Sequence, residues 1–139
     1  MNDRYLFRGK RLDGGEWVRG HYRSRTMEPN FDRIRHFISM DYPEIYEIDE
    51  TTLGQCTGLK DKNSKLIFEH DVCKTKQYGK DNGKGANFND FDIFVLKWHE
   101  GGFCIENSLR RFNLHKESAS NCEIIGNVHD NPELLKEVS

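Results

Sequence analysis

The chain has 139 residues, of which 35% are hydrophobic and 32% charged, and a formal net charge of −2. That length suits one domain, or two very small ones sharing a core, and the near-balanced charge excludes a dedicated DNA-coating protein, which would be strongly basic. No run of about 18 apolar residues offers a membrane span, and Met1–Arg4 lacks the apolar core of a signal peptide, so a soluble cytoplasmic protein is expected.

Taken in chain order, Tyr5–Lys10 and Glu16–Arg23 alternate as strands, joined by Asp13-Gly14-Gly15, a strong hairpin cue. Residues 24–32 are polar and contain Pro29-Asn30, which predicts a loop. Arg33–Ser39 alternates again and predicts a strand, with Ile45–Ile48 as its partner after a turn at Asp41–Pro43. Asp49–Thr52 carries helix-cap chemistry and predicts one helical turn. Gly54 and Gly58 bracket Gln55, Cys56 and Thr57, a spacing that supplies positive φ or close backbone approach. Asp61–Ser64 is a turn signal, followed by a short strand Leu66–Phe68, a corner at Glu69–Asp71 and a second strand Val72–Lys76. Residues 77–90 are polar and glycine-rich, which predicts a flexible hairpin loop. Asp92–Trp98 is the clearest core strand; Glu100–Gly102 turns it and Phe103–Asn107 returns. Ser108–Leu114 reads as a helical or irregular connector, and Cys122–Val128 as the closing strand. Asn131 is expected to cap a short C-terminal helix with Pro132 at its first position, where a missing N–H costs nothing. The whole predicts a mostly β protein with minor α, divided into an N-terminal strand-rich part, 1–50, and a C-terminal part, 51–139.

Charge is unevenly placed. Arg4–Arg35 holds nine Lys or Arg against four acids, and Asp41–Glu50 holds five acids and no base. Two strands pairing opposite charges across a sheet account for this. Cys56, Cys73, Cys104 and Cys122 include no C-x-x-C pair, so they are expected to be free thiols rather than zinc ligands. The histidines at 21, 36, 70, 99, 115 and 129 form no H-x-H or H-x-x-x-H. No cofactor is expected.

Four segments invite a site. Gly79–Gly85 has glycines and lysines, but its spacing and flanks are not those of a P-loop. Glu69-His70-Asp71 groups three titratable side chains. Strand alternation would send His70 away from its neighbours, and Asp71 is better placed to cap the corner by accepting backbone N–H bonds. The carboxylates of Asp41–Glu50, with Glu69 or Asp71, suit Mg²⁺ and frame a metal-dependent enzyme as one alternative. Arg110-Arg111-Phe112-Asn113-Leu114-His115-Lys116 is the best nucleic-acid candidate. Arg110, Arg111, His115 and Lys116 can neutralise phosphates, with Lys74, Lys76, Lys80 and Lys84 as helpers, while Phe112 can stack on a base. With no nucleophile–base pair to place, the expectation is a non-enzymatic binding module; open strand edges allow a protein partner or a homo-oligomer.

One resemblance adds to this. Gly54–Asn63 (GQCTGLKDKN) resembles the "GQ-aromatic-TGLKDKNG" run of the phage-encoded YopX family. Ile67–Val72 is similar to its "I-aromatic-EGD-V" continuation. Glu123–Val128 and Asn131–Leu135 match its closing "VIGN…NPELL". Phe7–Lys10 and Trp17-Val18 fit its start, so the resemblance covers nearly the whole chain, with gaps at 24–50 and 77–120. Cys56 stands where the family has an aromatic residue, and Ser64 and His70 where it has glycine; serine tolerates positive φ less well, so the turn type can differ. The resemblance implies an origin in phage or prophage and a C-terminal SH3-like small β-barrel; the partner expected for the binding module is a phage or host macromolecule, protein or nucleic acid. The resemblance implies no established biochemical role. It marks Gly54, Gln55, Thr57, Gly58, Asp61, Asp71, Gly126, Asn127 and Pro132 as structural positions.

Overall fold

Short apolar–polar alternations broken by glycine and Asx turns favour antiparallel strands, because their period of two sends one set of side chains to a common face. A computed structural model of the protein describes residues 5–27, 33–40, 44–76, 91–108 and 110–135. The fold is mostly β and resolves into two compact units, Met1–Gly58 and Leu59–Ser139. The expected loop over 77–90 lies outside the described residues, as do the turn at 41–43 and residues 28–32.

In the first unit, β1 (Phe7–Arg11), β2 (Trp17–Met27), β3 (Arg33–Ser39) and β4 (Ile45–Lys60, its last two residues beyond the unit) pair antiparallel in sequence order. β1 also pairs with β4, so the hydrogen-bonded circuit of this sheet closes on itself. Gly14 and Gly15 take φ 92 and 77 in the β1–β2 turn, as the Asp-Gly-Gly signal predicts. Val18, Ile38 and Ile48 form the core, with Phe7, Tyr46 and Leu53 packed against it. β2 runs further than expected, because His21–Met27 find cross-strand partners on Arg33–Ser39 that outweigh their polar composition. One opposite-charge pair of the expected kind links the basic and acidic stretches: Arg35 on β3 forms a two-bond ion pair with Glu47 on β4, its Nε 2.8 Å from Oε2; beside it His36 meets Glu50.

The helical turn expected at Asp49–Thr52 is not formed; these residues belong to β4. Their cap chemistry is used differently. Register shifts between Arg8↔Gly54 and Lys10↔Asp49, so extra β4 residues bulge out. Asp49 Oδ1 accepts from the Thr51 N–H and hydroxyl, and Thr52 Oγ1 accepts the Lys10 N–H at 2.8 Å while donating to Asp49 O. The side chains satisfy backbone groups that the broken ladder leaves over.

The second unit holds β5 (Leu66–Phe68), β6 (Asp71–Lys76), β7 (Phe91–His99), β8 (Gly102–Glu106), β9 (Arg111–Asn113), α1 (Lys116–Ser120) and β10 (Glu123–Asn127), then a 3₁₀ turn at Pro132–Leu134. Its antiparallel sheet runs β10-β6-β7-β8-β9. Ile67, Cys73, Phe94, Leu96, Ile105, Ala119 and Cys122 form the core, with Leu59, Phe112, Leu114 and Ile124 around it. All four cysteines are buried free thiols, and the Cys73 thiol is pushed well up by its hydrogen bond with Cys122 and by burial.

The connector 108–114 departs from expectation. Asn107 closes a tight turn: its N–H donates to Arg110 O, its side-chain oxygen accepts the Arg110 N–H, and its Nδ2 donates to Ile93 O. The chain leaves that turn as β9. Helix α1 follows, with His115 as N-cap: His115 Nδ1 accepts the Ser118 N–H and Ser118 Oγ accepts the His115 N–H. A histidine cap in a polar run gives little sequence signal, since Ser, Thr, Asp and Asn are the usual caps.

Candidate functional site

The motif residues of the second unit gather around one carboxylate. Asp61 is 5% exposed; its Oδ1 accepts the Asn63 and Lys65 N–H groups at 2.8 and 2.9 Å, and its Oδ2 accepts the Ile124 N–H at 2.9 Å. It therefore fastens the Lys60–Lys65 turn to β10. Gly58 sits at φ 82, and Ser64 and His70 take φ 65 and 71, the left-handed conformation that glycine adopts without penalty. Asp71, 2% exposed, accepts the Phe68 N–H at 2.8 Å and so caps the corner as expected. Glu69 and His70 form that corner as a turn, so the strand alternation expected there does not apply.

At the closing end, Asn127 Oδ1 accepts from the His129 and Asp130 N–H groups, and Asn131 Oδ1 accepts the Asn127 N–H. Asn131 thus bonds back to β10 and gives no side-chain cap to the following turn, contrary to expectation, while Pro132 does stand at the turn's start. A β-carbon on Gly126 would collide with Asn131 Oδ1 and approach Leu134 Cδ1 to 3.1 Å. Gly54 and Gln55 lie opposite Arg8 and Phe7, and Thr57 is buried. These roles are architectural.

The Arg110–Lys116 segment is divided among several tasks. Arg111 Nε donates to Glu106 Oε2 at 2.7 Å, and Lys97 Nζ reaches Glu106 Oε1 at 3.0 Å. Arg111 and Lys97 hold the Glu106 carboxyl below the usual range. Phe112 packs edge-on against Phe94, centroids 5.8 Å apart, and His115 caps α1. Lys116 is exposed and Arg110 half-buried. The segment is a strand edge and a helix start rather than a single basic face.

That edge is the most distinctive surface of the unit. The Leu114 N–H donates to Phe103 O, so by antiparallel alternation the Phe112 backbone faces β8 while the Arg111 and Asn113 backbones face away from it. Among the described residues no further strand pairs with β9. Beside it a cavity of about 480 Å³ is lined by Ile105 and Phe112, with Asn113, His115, Glu117, Ser118 and Asn121 around them. An apolar floor with a polar rim next to an open strand can take an extended chain with one apolar side chain seated.

Two further clusters escaped sequence reasoning. In the first unit, Tyr22 Oη lies 2.6 Å from His36 Nδ1, and His36 Nε2 lies 2.8 Å from Glu50 Oε2. A ring with its single proton on Nε2 donates to the carboxylate and accepts from the tyrosine at Nδ1. His36 and Glu50 border a cavity of about 370 Å³ with Arg35 and Glu47, but Tyr22 is not in its wall. The chain of bonds ties β2, β3 and β4 together. In the second unit, His129 Nε2 lies 3.4 Å from His70 Nδ1 with the rings edge to face. Among the described residues, no three His, Cys, Asp or Glu side chains gather to hold a metal ion. Nor is any helix there long and apolar enough to cross a membrane.

Comparison with known proteins gives a family and a fold. The family described as YopX protein matches residues 6–136. A crystal structure of protein EF1440 from Enterococcus faecalis is similar at a TM-score of 0.55 and 21% identity, covering 93% of this chain and 96% of that one. At that identity the likeness speaks for the fold alone. No curated protein matches.

Proposed function

The chain belongs to the YopX family, and from that premise we propose that it is a non-enzymatic binding module that takes an extended segment of a protein partner along β9. The observation that carries this is the open β9 edge beside the cavity between β9 and α1. The outward backbone of Arg111 and the Asn113 N–H supply the pairing, the Asn113 carbonyl already accepting from Ser118 Oγ at 3.4 Å, and the Ile105–Phe112 floor supplies selectivity for an apolar side chain. The finer architecture goes with it: the second unit is read as an SH3-type small barrel, supported by a β6–β9 meander whose first strand is flanked by the returning β10. The setting is that implied by the resemblance, a phage or prophage product acting inside the bacterial cell.

Nucleic-acid binding through Arg110, Arg111, Phe112, His115 and Lys116 is the second reading. The packing of Phe112 on Phe94 and the pairing of Arg111 with Glu106 favour the first.

Selecting peptides against the full chain, then N-methylating the tightest one position by position, tests the proposal. Pairing to β9 predicts that affinity falls at every second position only, since alternate N–H groups face the strand. A loss without that period, or no selectable peptide beside salt-sensitive binding to mixed-sequence DNA or RNA, overturns it.

A further inference from the structure

We propose that His70 and His129 form a two-imidazole site for a divalent transition-metal ion of the Zn²⁺ class. A separation of 59 positions leaves no sequence motif; the fold brings His129 Nε2 to 3.4 Å from His70 Nδ1. Two nitrogens each bonded to a tetrahedral Zn²⁺ at about 2.0–2.1 Å stand about 3.3–3.4 Å apart. The pair is therefore spaced to share an ion with little ring movement. The ring planes stand at 89° with centroids 5.2 Å apart, so the faces do not stack.

The backbones that carry the rings are held. The His70 N–H donates to Leu96 O at 2.8 Å, and His70 O accepts the Val128 N–H at 2.9 Å. The His129 N–H donates to Asn127 Oδ1 at 3.0 Å. The corner after β5 and the turn after β10 are thus bonded directly to each other, and preorganisation of this kind lowers the cost of binding. His70 also keeps a left-handed φ of 71, a conformation that costs a residue with a β-carbon and that glycine adopts freely.

The chemistry of binding is a substitution. In the neutral pair one ring nitrogen donates to the other; when the ion enters, that proton moves to the outer nitrogen of the same ring and both facing lone pairs bind the metal. Imidazole nitrogen suits Zn²⁺, Ni²⁺, Co²⁺ or Cu²⁺ and not Mg²⁺ or Ca²⁺. Among the described residues no third His, Cys, Asp or Glu joins the pair to complete a cluster. With two imidazole ligands the ion is expected to bind more weakly than in a closed four-ligand site.

The test is calorimetric titration and thermal melting of the full chain, free of any histidine tag, with ZnCl₂ and separately with NiCl₂. One saturating equivalent and a rise in Tm are expected, with no response to MgCl₂. His70→Gly and His129→Gln should each weaken binding by about tenfold or more and remove the Tm response. His21→Gln should retain both. His70→Gly relieves the left-handed conformation, so its loss of binding cannot be put down to misfolding. No saturable binding up to about 1 mM metal, or binding that survives in both His70→Gly and His129→Gln, overturns the site.

Discussion

Replacing Ser64 by glycine isolates a single backbone torsion. Ser64 is exposed, its N–H donates to Asp61 O at 3.0 Å, and its φ is 65. A residue with a β-carbon in that conformation costs about 1–2 kcal/mol, and glycine there costs about 0.5–1 kcal/mol in lost unfolded-chain freedom. Ser64→Gly is therefore expected to stabilise the protein by about 0.5–1 kcal/mol, or about 2–4 °C in Tm for a chain of this size. Ser64→Ala keeps the β-carbon and should stay within about 0.5 kcal/mol of the parent. The assay is urea unfolding followed by both circular dichroism and tryptophan emission, since Trp17 lies in the first unit and Trp98 in the second. Coincident curves license a two-state free energy. A glycine variant no more stable than the alanine variant would refute the torsional reasoning.

Asp61→Ala leaves three backbone N–H groups without their acceptor and should cost about 3 kcal/mol or more; Asp61→Asn should fall between, since one oxygen remains for Asn63 and Lys65; urea midpoints measure both. Gly126→Ala drives a methyl into Asn131 and Leu134 and should cost about 1–3 kcal/mol, with amide exchange near Asn131 accelerated more than in the β7 core. Glu106 is held below the usual carboxylate range by Arg111 first and Lys97 second, so the unfolded state binds its proton more readily. Its contribution to stability is present above the ordinary glutamate value and lost as pH falls through the lowered native one. Melting curves of the parent and Glu106→Gln should accordingly differ at neutral pH and low salt, and converge in acid and in high salt.

Strand periodicity, the Asp-Gly-Gly hairpin and the GQCTGLKDKN run were legible in the sequence because each depends on neighbours in the chain. So was the role of Asp71, whose acceptor bond reaches back only three residues to Phe68. The polar segments read less well. Arg25 and Thr26 extend β2 because β3 offers them partners, and Asp49–Thr52 bulges rather than coils because β1 needs Thr52 Oγ1. Arg110–Lys116 looked like one basic face, but Glu106, Phe94 and Ser118 draw its side chains apart.

Local composition thus determined that this is a mostly β chain with a family-specific corner and a closing NPELL turn. Tertiary structure alone decided what those pieces hold. Asp61 meets Ile124 across 63 residues, His70 meets His129 across 59, and β9 is left as an open edge beside its cavity. The physical reason is range: torsional preference and alternation act between adjacent residues, whereas hydrogen bonds and pockets form only once the sheet has set which distant strands are neighbours.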